Sequence, residues 1–127
     1  MKLFEDRVLK FMERFNVGDL DGAISDFAEE GKYIDEFGTT YSGKARIRKA
    51  LTPIFDGSYG ALAYTVEDLI LDPENEKALV TWSLAITGPE GAASRMRGLD
   101  VLEFDGDKLK LKNCYIKAKE VLIEAIT

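Results

Sequence analysis

Residues 97–109 read RGLDVLEFDGDKL, and the architecture of the chain can be built outward from this stretch. Met96, Gly98, Asp100, Leu102 and Phe104 alternate with Arg97, Leu99, Val101 and Glu103. In an extended chain alternate residues point to opposite faces, so one face here is apolar except for the carboxylate of Asp100. Asp105-Gly106, between Phe104 and Leu109, is a two-residue hairpin signal that folds the chain back into an antiparallel neighbour. The period of two extends in both directions. It predicts four strands near 61–72, 77–87, 92–104 and 107–118, separated by the loop stretches Asp72-Pro73-Glu74-Asn75 and Gly88-Pro89-Glu90-Gly91. Trp82 shares a strand face with Val80, Leu84 and Ile86.

Toward the N-terminus the period changes to that of a helix. Phe4, Val8, Phe11, Met12 and Phe15 form one apolar stripe, ended by Asn16-Val17-Gly18. Asp19 can cap a second helix in which Leu20, Ala23, Ile24 and Phe27 share a face, with Glu30-Gly31 as its stop. A short strand is predicted from Lys32 to Phe37, with Tyr33, Asp35 and Phe37 on one face and Gly38-Thr39-Thr40 closing it. Ser42 is placed to cap a third helix carrying Ile47, Leu51, Ile54 and Phe55, with Pro53 disturbing its last turn. The fold class is α+β: helices from the first half packed on one face of a curved, mainly antiparallel sheet, with a ligand cavity expected between the layers.

Composition narrows the chemistry. The 127 residues suit one domain spanning 1–127, and 46% hydrophobic residues suffice for a core. No apolar run approaches a membrane span and the first residues lack a secretory signal, so the expected location is cytoplasmic, without membrane association. A net charge of −6 opposes nucleic-acid binding. With no histidine and Cys114 as the one cysteine, a zinc site of the usual kind and every His-dependent triad are excluded. No metal and no other cofactor is expected. Acid–base chemistry would have to run on Asp, Glu, Tyr, Lys or Cys.

Four stretches carry a family resemblance: Phe15 to Ile24, Asp35-Glu36-Phe37-Gly38, Tyr41 to Arg48, and Arg97 to Leu109. With their order along the chain, they resemble the NTF2-like superfamily and, within it, the SnoaL-like and ketosteroid-isomerase-like branch. The resemblance implies a cone-shaped fold with three N-terminal helices, a pocket at its wide end and a homodimer formed through the open face of the sheet. It also implies that Asp35 corresponds to the general base that moves a proton between carbons, and Asp100 to the carboxylic acid of the oxyanion hole. The supporting hydroxyls of that branch fall on Phe11, Phe27 and Leu51. Loss of one preorganised donor costs ~10²–10³ in rate, so ketosteroid isomerisation itself is not expected. The pattern of limonene-epoxide-hydrolase-like relatives is incomplete too: Arg97 and Asp100 lie on opposite strand faces, and the last strand reads Tyr115-Ile116-Lys117.

The candidate site therefore has Asp35 and Asp100 as the proton-handling pair. Phe11, Phe27, Tyr33, Phe37, Leu51, Trp82, Met96, Leu102 and Ile116 are the expected apolar walls. Lys108, Lys110 and Lys112 read as a solvated stripe that protects a strand edge. Tyr64 and Tyr115 read as amphipathic packing, Cys114 as a small buried hydrophobe, and Lys117 has no assigned role. The apolar segment Ala118–Thr127 is expected to pack on a partner subunit or close the pocket mouth. Two functions stay open. One is binding, with isomerase- or lyase-type conversion, of a small hydrophobic molecule; the other is a non-catalytic dimeric ligand-binding or scaffold module. They are separated by whether both aspartates face one cavity.

Overall fold

Helix α1 (Lys2–Val17) buries the predicted stripe, Phe4, Val8, Phe11, Met12 and Phe15. At roughly 1.5–3 kcal/mol for each large side chain removed from water, this face alone anchors the helix. Asn16, in its last turn, clasps the backbone of Tyr64: Nδ2 donates to the Tyr64 carbonyl at 2.9 Å, and Oδ1 accepts from the Tyr64 amide at 2.7 Å. Asp19 caps α2 (Leu20–Asp26) by accepting from the Gly22 amide at 2.8 Å. Arg14 ties the two helices together, with Nη1 2.9 Å from Asp19 and Nε 3.1 Å from Asp26.

The computed structural model describes residues 2–126. After α2 come β1 (Phe27–Ile34), β2 (Thr40–Ser42), α3 (Lys44–Phe55), β3 (Ala61–Asp72), β4 (Lys77–Thr87), β5 (Ala93–Asp105) and β6 (Lys108–Lys117). The strands form one mixed sheet in the order β2-β1-β6-β5-β4-β3, in which β1 and β6 are parallel and the other neighbours antiparallel. The four long strands begin and end within one residue of the predicted bounds. The helical side chains meet the inner face of the sheet, where Val80, Trp82, Leu84, Leu102 and Phe104 are buried.

The first half departs from the sequence reading at three points. The second helix stops at Asp26 and β1 starts at Phe27, not Lys32. Phe27 fits the helical spacing, but it is buried equally well as the first residue of a strand, edge-to-face with Phe11 at 5.7 Å and paired with Leu109. Asp35 and Phe37 consequently lie beyond the end of β1, in the turn to β2, rather than on a strand face with Tyr33. Ser42 belongs to β2, and Gly43 takes the cap position of α3 at φ 88°, a conformation glycine adopts without a Cβ clash.

The C-terminal residues 118–126 have no regular structure, and Val121, Leu122, Ile123 and Ile126 are exposed, so closure of the pocket mouth by this segment is not seen. Thr127 lies outside the described residues. No helix among the described residues is long and apolar enough to cross a membrane.

Candidate functional site

A cavity of about 490 Å³ lies between the inner sheet face and the ends of α1 and α3. That is within the range of small-molecule pockets. Its walls are aromatic and aliphatic. Tyr64 of β3 stands edge-on to Trp82 of β4 at 5.2 Å, and Leu84, Met96 and Ile116 continue the surface. The β1–β2 turn forms part of the mouth with Asp35, Glu36 and Phe37.

The sheet inserts a charge into this apolar setting through a register shift. Between Glu103↔Leu111 and Phe104↔Leu109 the β5–β6 pairing slips, so Lys110 has no place in the ladder. Such a bulge reverses the side-chain parity of the strand beyond it. Leu109 is buried before the bulge; after it, Lys112 and Cys114 are buried and Ile116 lines the cavity. Lys112 is only 6% exposed and forms part of the cavity wall, not part of a solvated stripe with Lys108 and Lys110. Its Nζ donates to Asp100 Oδ1 at 2.7 Å and lies 5.5 Å from the ring centroids of both Phe15 and Tyr33.

Asp100 sits behind this lysine at 1% exposure. Trp82 Nε1 donates to its Oδ2 at 3.1 Å. The reach depends on Gly98, which is opposite Trp82 in the β4–β5 ladder. A Cβ at Gly98 would lie 2.6 Å from Trp82 Cη2 and 2.5 Å from the Tyr115 carbonyl oxygen, so only glycine lets the indole cross the strand to Asp100. Both carboxylate oxygens accept from a donor. Asp100 is thus an acceptor that holds Lys112 and Trp82, and is not itself part of the cavity wall.

Burial is the largest single influence on Lys112 and lowers its pKa, but Asp100 and the neighbouring Cys114, Tyr33 and Tyr64 together act the other way, and the value is raised above the ordinary 10.5. Lys112 is therefore an ammonium at neutral pH: a hydrogen-bond donor, not a base or a nucleophile. Burial, against the opposing charge of Lys112, pushes the Tyr64 hydroxyl and the Cys114 thiol each up to about 12. It raises Tyr33 further in the same direction. None of these groups ionises near neutrality. Asp35 Oδ1 accepts from the amides of Phe37 and Thr39, each at 3.0 Å, and Oδ2 accepts from the Tyr41 hydroxyl at 3.3 Å. These bonds shape the turn and aim Asp35 at the opening.

The sequence-derived walls divide in two. Tyr33, Phe37, Trp82, Met96 and Ile116 line the cavity, Phe37 from an exposed position at the mouth. Phe11, Phe27, Leu51 and Leu102 do not: each is fully buried in the helix–sheet core, where neighbouring side chains leave no room for a ligand. Asp35 is on the wall and Asp100 is one residue removed from it. Lys112 and Tyr41 were not anticipated. A signal for Lys112 existed, because apolar residues occupy 109 and 111 and then 114 and 116, a change of parity that an uninterrupted strand cannot bury.

Among the described residues, the six-stranded α+β sheet with three helices is an NTF2-like fold. Residues 8–111 match the SnoaL-like domain family, and the chain belongs to it. Among solved structures, SalBIII, an epoxide hydrolase/cyclase-like enzyme with a role in pyran ring formation in polyether salinomycin, superposes with a TM-score of 0.80 at 16% identity, covering 91% of this chain and 92% of that one. TerC, co-crystallised with polyporic acid, gives 0.75 at 15% identity over 90% and 91%. An NTF2-like protein of unknown function from Cytophaga hutchinsonii ATCC 33406 gives 0.69 at 16% identity over 90% and 99%. At these identities the likeness speaks for the fold and not for a reaction. No curated protein sequence matches the chain.

Proposed function

We propose that this chain binds a small hydrophobic molecule in the cavity and moves a proton on it, with Asp35 as the base, in isomerase- or lyase-type chemistry. The observation that carries the reading is an aromatic-walled cavity of about 490 Å³ with a carboxylate at its mouth and a buried ammonium in its wall. A buried charge beside an apolar cleft is a mark of a functional-site candidate. The fold-mates SalBIII, linked to pyran ring formation, and TerC, crystallised with polyporic acid, support small oxygenated ring compounds as the ligand class.

The test uses Trp82, the one tryptophan of the chain, as a reporter in the cavity wall. Saturable changes in its emission on adding bicyclic compounds establish binding, and a screen of enones, epoxides and lactones then looks for turnover. Asp35→Asn is expected to abolish turnover while leaving the fold intact. Retained turnover would remove Asp35 from the mechanism.

A second reading, a ligand-binding module without catalysis, is favoured by two features: of the two aspartates only Asp35 faces the cavity, and its bonds to two amides and a hydroxyl suffice to explain it as a turn residue. Binding without turnover across the screen would support this reading. In either case we propose a homodimer through the outer sheet face, which presents Ile70 and Tyr115 to solvent. Sedimentation of the wild type and of an Ile70→Lys/Tyr115→Lys variant tests it, with a monomeric wild type counting against it.

A further inference from the structure

Lys112 is a charged side chain buried beside an apolar cavity, paired with a buried aspartate. Transferring an ammonium and a carboxylate into an apolar interior is unfavourable, and replacing such a pair by hydrophobic residues of like volume is often neutral or stabilising. The pair is also unequally satisfied. Asp100 has both oxygens occupied, by Lys112 and by Trp82. An ammonium carries three N–H donors, and among the described residues the hydrogen bond of Lys112 is to Asp100 alone. Its other surroundings are the rings of Phe15 and Tyr33, each 5.5 Å from Nζ, and the cavity whose wall it forms. Ring faces attract a cation without accepting a directed hydrogen bond as an oxygen does.

Charge selects the kind of oxygen. Asp100 already balances Lys112, and Asp35 and Glu36 stand at the mouth, so a ligand carboxylate would enter against a net negative field. A neutral carbonyl meets no such opposition. It also gains more from Lys112 as the reaction proceeds. When Asp35 takes a proton from the carbon beside the carbonyl, the electron pair of that C–H bond moves onto the carbonyl oxygen as an enolate, and a donor placed there in advance binds this state more strongly than the ketone. The aromatic walls suit a ring skeleton around that carbonyl.

We infer that Lys112 donates a hydrogen bond to the carbonyl oxygen of a neutral cyclic ketone bound in the cavity, with Asp100 as the residue that positions it. The inference rests on the reading of the cavity as a small-molecule site, and it names the ligand class and the anchoring group.

The experiment compares 2-tetralone with tetralin, the same bicycle without the carbonyl, on the full chain and on a Lys112→Met/Asp100→Asn variant. The double substitution removes both charges together and keeps an acceptor for Trp82, which avoids a lone buried carboxylate. Binding is followed by Trp82 emission and saturation-transfer NMR, and the carbonyl stretch of bound ¹³C-labelled 2-tetralone by infrared difference spectroscopy. The variant is expected to bind 2-tetralone about tenfold or more weakly, with tetralin unaffected, as for loss of a hydrogen bond to a charged group. In the wild type the bound carbonyl stretch is expected below its value in water, and in the variant it rises. Equal ketone affinity and an unchanged stretch in both proteins, with tetralin still bound, would overturn the role of Lys112 and leave the pocket reading intact. If neither compound binds the wild type, the pocket reading itself fails and the inference with it. Should the double variant not fold, the wild-type spectrum decides alone, a bound stretch at its hydrocarbon-solvent value excluding the donor.

Discussion

Asp35 and Asp100 are the same side chain in opposite surroundings. Asp35 lies in the β1–β2 turn, where two backbone amides and the Tyr41 hydroxyl donate to it beside solvent. Asp100 lies in the middle of β5 at 1% exposure, where one ammonium and one indole are its hydrogen-bond partners. The first forms part of the cavity wall. The second holds Lys112 and Trp82 in place and is not part of the cavity wall. Two carboxylates that look equivalent in sequence thus divide into one at the cavity mouth and one inside the sheet, and the division follows from what each strand or turn puts in front of them.

The widest contrast should come from removing one member of the buried pair. Lys112→Met leaves Asp100 buried without its cation, and a loss of about 3–5 kcal/mol is expected in urea unfolding. The Lys112→Met/Asp100→Asn double variant should recover most of that loss; if the two lose equally, the penalty is one of packing and not of charge. Gly98→Ala is expected to cost roughly 1–3 kcal/mol, because the added Cβ meets the Trp82 ring and a backbone carbonyl at once. A changed Trp82 emission spectrum would accompany it, and an unchanged spectrum would place the strain elsewhere.

Asp35→Asn should cost little stability, less than about 1 kcal/mol, since the amide oxygen can still accept from Phe37 and Thr39. A loss as large as that of Lys112→Met would break the distinction between the two aspartates. The smallest expected effect is that of alkaline pH on the buried pair. The pKa of Lys112 is raised on folding, so its contribution to stability is fully present below the ordinary 10.5 and is lost only as pH rises above that value toward the folded one. The stability difference between wild type and the double variant should therefore stay flat from about pH 6 to 9. A rise with pH within that interval would mean that Lys112 loses its proton there in the folded protein, below the ordinary 10.5, and could act as a base.

The regions that were legible beforehand share a property: their geometry is dictated by residues close in sequence. The alternation in β4 and β5 and the α1 stripe each follow from spacing along a few residues and are found where expected. The two-residue turn, by contrast, falls on Gly106-Asp107, one residue later than Asp105-Gly106, and a register shift between Val66 and Asp68 interrupts the alternation of β3. Phe27 was misjudged because its spacing satisfies a helix while its burial against Phe11 and its pairing with Leu109 favour a strand. Phe11, Leu51 and Leu102 were misjudged because apolar spacing identifies an inward face without saying whether protein or empty space lies opposite.

Sequence alone determined that this chain is an α+β protein with a mostly antiparallel sheet, an aspartate among apolar neighbours on β5, and no histidine with which to do chemistry. Local spacing and composition suffice for those conclusions, since strand and helix periods are properties of a few adjacent residues. Tertiary structure alone decided which groups meet. The β6 bulge turns Lys112 inward, and the bare Cα of Gly98 lets Trp82 reach across to Asp100. The registers of three strands bring Trp82, Asp100 and Lys112 together from sequence positions far apart. A shift of one residue in that pairing would send the lysine to solvent, and the energy that prevents it is spread over the whole sheet and its helical cover.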